Sequence, residues 1–321
     1  MTSTSSSTVG HIVVLAGGLS PERDVSQRSG RRVAEALRLT GVDVEVLDVD
    51  GNLLATLAAD PPACVIPLLH GAPGEDGALR DVLTALGLPY VGTAPDACRQ
   101  AFDKPIASTL VSAAGIAVPA RVALPHATFR ELGAPAVLDA VVARLGLPLM
   151  VKPTRGGSSL GCAVVRAATE LPAAMVAAFA YGEIALIESF VEGTEVAVSV
   201  LDDGDGLRAL PVVEVVPDGG FYDYTARYTA GATEFFVPAR LPDDVLDRCA
   251  AAAVTVHRTL GLRDWSRCDL IVDPSGTPWF LEANVAPGMT ETSTYPLAVA
   301  AAGLDLGEVT AGLVSAAIAR A

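Results

Sequence analysis

The stretch that most restricts the fold is VKPTRGGSSLG, residues 151–161. An apolar run, 147–151, reads as a strand and delivers Lys152 into a loop of glycines and serines. In a P-loop the lysine follows the glycines and opens a helix, so lysine and helix N-terminus share the phosphates. Here the lysine comes first, and residues 162–165 look like the second arm of a hairpin. Two arms of a hairpin pair antiparallel, and this order of lysine and glycines is not that of a P-loop. Gly17-Gly18 lacks the G-x-G-x-x-G spacing, so a dinucleotide-binding fingerprint has little support.

Of the 22 Lys+Arg, only Lys104 and Lys152 are lysines. The chain is rich in Ala, Gly, Arg and Val, a composition that places arginine wherever arginine will serve. The two lysines are either chance survivors or positions that need a compact ammonium on phosphate oxygens. The net charge of −15 argues against a sequence-independent nucleic-acid partner and against an anionic membrane surface, since both need a basic face. Residues 1–9 read as a flexible polar tail without a signal peptide's basic and apolar regions. The longest uncharged run, 105–120, is shorter than the ~18 residues of a membrane helix and contains Pro, Ser and Gly. Five scattered cysteines with no CxxC or Cys/His cluster indicate neither a disulfide framework nor a zinc site. A reduced, cytoplasmic enzyme is expected.

A chain of 321 residues suits two or three domains. Over 10–103, strands at 11–16, 44–47, 64–69 and 90–91 alternate with helices at 26–39 and 78–86, and HGAPGEDG (70–77) reads as a loop. That alternation predicts a parallel, doubly wound sheet. Over 104–190 the texture changes to helices at 105–114, 135–145 and 168–180, strands at 118–123 and 184–190, and the glycine hairpin. In 191–321, the segments 195–203 and 207–216 read as antiparallel strands. Residues 217–235 form a long turn-rich stretch with three tyrosines and read as a lid. A helix at 243–260 and strands at 268–272 and 279–282 follow. The fold class is α/β, with antiparallel sheets after the parallel one.

On adjacent strands Asp269 can lie near Glu282, and Asn284 shares the face of Glu282. This oxygen-only set suits Mg²⁺, which fills its shell with water and substrate phosphates, unless the acids merely decorate a hairpin. Arg267 shares the face of Asp269 and could clamp an oxyanion or simply pair with the acids. Pro287-Gly288 offers a bare backbone N–H or an ordinary turn. His70 and Glu75-Asp76 follow a parallel-type strand, where ligands bind, although a lone histidine is as readily structural. Glu22 could hold an ammonium or enrich a helix N-terminus. Glu188 and Glu195 flank Phe190-Val191, which could read adenine and ribose or be an acidic hairpin. There is no G-x-S-x-G elbow and no H-E-x-x-H.

Taken together, GGLSPERDVS, LLHGAPGEDG, GLPYVGT, DK at 103–104, VKPTRGGSSLG, FYDYTARY and LEANVAPGMT resemble the ATP-grasp superfamily, and within it the D-alanine–D-alanine ligases, from about residue 10 to 320. The resemblance implies three domains: 10–103 parallel and Rossmann-like, 104–190 with the glycine lid, and 191–321 catalytic, with ATP between the two antiparallel sheets. It implies that Lys104 and Lys152 reach the phosphates together with Gly157, Ser158, Ser159 and Arg227. Glu188, Phe190 and Val191 would take adenine, and Glu195 ribose. Asp269, Glu282 and Asn284 would hold two Mg²⁺, or Mn²⁺. Glu22 would bind the first D-alanine's ammonium in a set with Ser158 and Tyr228, near His70. Arg267 and the Gly288 N–H would clamp the oxyanion, with Ser293 and Thr294 at the second substrate. The implied reaction phosphorylates one D-alanine and couples it to another, for cell-wall precursor, in an enzyme that is commonly a homodimer. Arg227 departs from the lysine many relatives carry, and Val285, Ala286, Thr292 and Thr294 depart from common acceptor strands, leaving D-serine, D-lactate or another acceptor open. Tyr228 resembles the dipeptide-forming members. A non-catalytic ATP-binding relative is the alternative of a different class.

Overall fold

The computed structural model describes residues 10–321 except 205, 221, 223–225, 228 and 230. Its first sheet is parallel, in the order β2 (Val44–Asp48), β1 (Ile12–Ala16), β3 (Cys64–Pro67). The helix Arg23–Leu39 buries Val25, Val33, Ala34 and Leu37 along one stripe, with Ser26, Ser29 and Gly30 on the same side. Gly30 is required there: a Cβ would lie 2.5 Å from that of Ala16, so helix and strand could not approach. Deleting the Leu37 side chain to alanine would cost about 2–5 kcal/mol, as for other fully buried leucines.

The second sheet is antiparallel and contains β4 (Arg121–Pro125), β5 (Leu149–Pro153), β6 (Ala163–Val165) and β7 (Ile184–Ser189), ordered β4-β7-β5-β6. Its core is closed by the helices Ala134–Leu145 and Leu171–Phe179. The third sheet comprises β8 (Thr194–Asp202), β9 (Leu207–Ala209), β10 (Val213–Pro217), β11 (Thr233–Phe236), β12 (Trp265–Val272) and β13 (Pro278–Asn284). Its order is β11-β10-β8-β12-β13, with β9 on β8, and the helix Asp243–Thr259 covers it. The C-terminal helix Leu306–Ala319 returns to the first sheet, where Leu313 shares a core with Ile12, Leu37, Trp265 and Tyr295.

The expected parallel sheet and the glycine hairpin between β5 and β6 are both present. Several local readings change. The loop 70–77 contains a short helix, Ala72–Glu75, which Gly71 opens at φ 75°. The expected strand 207–216 divides into β9 and β10 around Pro211, which has no N–H to give a ladder. The helices Pro95–Phe102 and Thr294–Ala301 were not expected, and β11 occupies the end of the lid stretch, whose centre lies partly outside the described residues. All five cysteines are free. Among the described residues no single helix is long and apolar enough to cross a membrane.

Candidate active site

Two chambers meet between the three sheets. The larger is a cleft of ≈ 570 Å³, within the range that houses small cofactors. The second and third sheets line it with Lys152, Glu188, Phe190, Val191, Glu195 and Glu282, among others. The second chamber adds Glu22, His70 and Glu75 from the first domain's loops, and Arg267, Gly288, Ser293 and Thr294 from the last third. Lys104, Gly157, Glu195, Arg227, Asp269 and Glu282 line both.

Strand geometry builds the larger cleft. Lys152 leaves β5, and its ammonium lies 2.7 Å from the Glu188 carboxylate of β7. That carboxylate raises the Lys152 pKa, although burial opposes it. Lys104 opens the helix Lys104–Ala113, which the Asp103 side chain caps. Its ammonium donates to the Gly156 carbonyl at 2.7 Å and lies 3.0 Å from Glu282. Asp269 and Glu282 are direct partners across β12 and β13, and Arg267 faces Asn284 in the same register. Arg267 forms a two-bond pair with Asp269, at 2.6 and 2.8 Å. Burial alone would raise the Glu282 carboxyl, but Lys104, Arg227 and Lys152 hold it down at about 2. Glu195 goes the other way: burial, with Asp269 and Glu282 nearby, pushes it up to about 7.

The glycine loop reaches over this side. Ser158 and Ser159 both have left-handed backbones, φ 53° and 57°, a conformation costing of order 1–3 kcal/mol per residue. Side chains hold the loop in it: Ser158 donates to the Glu22 carboxylate, and Ser159 donates to the Tyr222 carbonyl at 2.8 Å. Arg227 stacks on the Tyr222 ring at 4.2 Å and reaches Ser159 at 3.3 Å. The Glu22–Ser158 part of the expected set is therefore assembled, while Tyr228 lies outside the described residues.

In the second chamber, Ser293 accepts the Thr290 N–H at 3.0 Å, and a Cβ on Gly288 would lie 2.7 Å from the Ser293 hydroxyl. Side-chain bulk is thus excluded where Gly288 lines the chamber. Thr292 and Thr294 also line it, whereas Val285 and Ala286 point into packing. Sequence reasoning noted Glu75 without a role; burial, with Glu22 beside it, pushes its carboxyl up to about 8. It missed Ser29, a fully buried hydroxyl bonded to both His70 and Met289. The available signal was a polar residue on the apolar stripe of a helix.

Among the described residues no three His, Cys, Asp or Glu side chains gather as a metal cage. Asp269 and Glu282 face each other with the Asn284 amide alongside, which fits a hard cation that takes its remaining oxygens from phosphate and water. A lysine-fed glycine hairpin on one antiparallel sheet, over paired acids on a second, defines the ATP-grasp class. A family profile described as D-ala D-ala ligase C-terminus matches residues 110–315. The chain is 40% identical over 307 residues to a D-alanine–D-alanine ligase of Bordetella petrii, covering 96% of this chain and 92% of that one. Among solved structures it is similar to the VanG D-Ala:D-Ser ligase of Enterococcus faecalis, with TM-score 0.83, 30% identity and coverage of 96% and 99%. It is also similar to a D-alanine–D-alanine ligase of Bacillus anthracis, with TM-score 0.81, 26% identity and coverage of 96% and 97%. The chain belongs to the D-alanine–D-alanine ligase family.

Proposed function

We propose that the protein joins two D-alanines into D-alanyl-D-alanine at the expense of ATP, as a step towards peptidoglycan. The observation that carries this reading is the junction, where Lys104, Glu282, Asp269 and Arg227 line a nucleotide-sized cleft and an amino-acid-sized chamber at once. A carboxylate is a poor acyl donor, so one oxygen of the first D-alanine attacks the γ-phosphorus and ADP leaves. The neutral amine of the second D-alanine then attacks the acyl phosphate carbonyl, sheds a proton as the C–N bond forms, and inorganic phosphate departs. Lys152 and Lys104 bind phosphate oxygens as point charges, Arg227 assists, and the strained Ser158-Ser159 turn keeps water from the intermediate. Glu188, Phe190 and Val191 line the adenine end and Glu195 the ribose.

Glu22 takes the first ammonium through the carboxylate that Ser158 fixes, with Tyr228 completing that set. Arg267 and the Gly288 N–H face the tetrahedral oxyanion, and Ser293 with Thr294 receives the second substrate. Asp269, Glu282 and Asn284 would hold Mg²⁺, which supplies charge neutralisation on the phosphates. One sheet falls in each of 10–103, 104–190 and 191–321, which supports the three-domain division. A cytoplasmic homodimer completes the reading. Incubating the protein with Mg·ATP and D-alanine should yield the D-Ala–D-Ala mass and one ADP per dipeptide. No product with D-alanine, but a product with D-serine or D-lactate, would move the assignment to that acceptor.

A further inference from the structure

His70 is buried with both ring nitrogens engaged. Nδ1 lies 3.1 Å from the Ala286 carbonyl oxygen, and Nε2 lies 3.1 Å from the Ser29 hydroxyl. A carbonyl oxygen only accepts, so Nδ1 carries a proton. Burial, helped by Arg267 and opposed by the Ala286 bond, lowers the His70 pKa to about 4. At neutral pH the ring therefore holds a single proton, and Nε2 is an acceptor. Ser29 must donate its hydroxyl proton to Nε2, which leaves the Ser29 oxygen to accept the Met289 N–H at 3.1 Å.

The donors run one way: Met289 N–H to Ser29, Ser29 to His70, His70 to the Ala286 carbonyl. Both ends of this chain lie on one turn, either side of Pro287-Gly288. The hydrogen bonds thus close a ring through the first domain, from the helix Arg23–Leu39 and the loop after β3. Ser26, one helical turn before Ser29, makes a similar tie by accepting the Gly17 N–H and donating to the Leu68 carbonyl, both at 2.8 Å. A histidine with both nitrogens so engaged is not a free acid or base. Its use is to hold a backbone.

We propose that Ser29 and His70 form a proton-ordered strut that sets the 286–289 turn, which makes Ser29 a positioning residue for the Gly288 N–H during acyl transfer. The inference rests on the ligase reading and adds to it the device that aims one oxyanion donor. A misplacement of about 1 Å at such a donor costs on the order of 100-fold in rate. Ser29→Ala should therefore lower kcat for dipeptide formation by roughly 10- to 100-fold while leaving the ATP KM unchanged. His70→Gln should act through the same turn, so the double variant should be no slower than the slower single one. Losses that multiply, or a Ser29→Ala enzyme as fast as wild type, would overturn the strut.

Imidazole ¹⁵N spectra of the wild-type protein test it without any variant, since the chain has only four histidines. The strut requires His70 protonated at Nδ1 with Nε2 accepting a hydrogen bond. An Nε2-protonated His70 would sink it even if the variants fail to fold. If the wild type makes no dipeptide, the ligase reading fails instead, and the tautomer still judges the strut.

Discussion

Along the larger cleft acids are paired with bases: Glu188 with Lys152, Glu282 with Lys104, and Asp269 with Arg267 of the adjoining chamber. On the substrate side, Glu22 and Glu75 converge on the same backbone: Glu75 accepts the Gly71 N–H at 3.0 Å, and a Cβ on Gly71 would lie 2.7 Å from Glu22. Glu75 is buried and Glu282 half-buried, yet Glu282 is held at about 2 and Glu75 is pushed up to about 8. Burial pushes both upward, so the difference comes from the sign of the neighbours. On the proposed reading, one chamber exchanges its ion pairs for a polyphosphate and its cation. The other sets two carboxyl groups side by side, an arrangement that suits an arriving ammonium.

The largest effect should come from Arg267 of the second chamber, the partner of Asp269, which lines both chambers. Arg267→Met removes the proposed oxyanion donor and should lower kcat by about 10²–10³. It also leaves Asp269 buried without its partner, at a cost of about 3–5 kcal/mol in unfolding. Near-normal turnover would remove Arg267 from the chemistry. Next come the matched single-chamber variants. Lys152→Met should raise the ATP KM by roughly 10- to 100-fold, the worth of a charge-assisted hydrogen bond, and leave the D-alanine KM alone. Glu22→Gln should do the reverse by a similar factor. If both constants move together in either variant, the chambers are not separate in function.

A smaller effect concerns pH. Folded Glu75 keeps its proton up to about 8, whereas the unfolded chain releases it near 4.5. Its contribution to stability is therefore complete below the unfolded value and is lost as pH rises through the folded one. Thermal unfolding without substrate should show a steeper loss of stability between about pH 5 and 8 in the wild type than in Glu75→Gln. Parallel curves would mean that Glu75 is ionised in the fold. Smallest of all, Arg227→Lys gives up a stacked guanidinium over Tyr222 and should raise the ATP KM only about two- to fivefold.

The acids were partly legible because strand side chains alternate with a period of two, which puts Arg267 with Asp269 and Glu282 with Asn284, while the register that sets Asp269 opposite Glu282 comes from the fold. The lysines were legible because every other Lys+Arg position in the sequence is an arginine. The helix Ala72–Glu75 was not, since Gly71, Pro73 and Gly74 look like loop until the fold closes around them. The helices Thr294–Ala301 and Leu306–Ala319 are alanine- and valine-rich on all sides and give little periodicity to read. Ser29 was hidden for another reason. On a buried stripe a serine reads like Ser26 or Gly30, a small residue for close packing, and only tertiary structure brings His70 and Met289 to it.

The most direct test of two chambers sharing one reaction is to follow oxygen. D-alanine labelled with ¹⁸O in its carboxylate would be turned over with unlabelled Mg·ATP, and the released phosphate analysed by mass. If the carboxylate attacks the γ-phosphorus and the amine later displaces phosphate, each phosphate carries one ¹⁸O and each dipeptide forms with it. Unlabelled phosphate would mean that water takes the phosphoryl group on the nucleotide side without involving the amino acid, and the coupled account would be wrong.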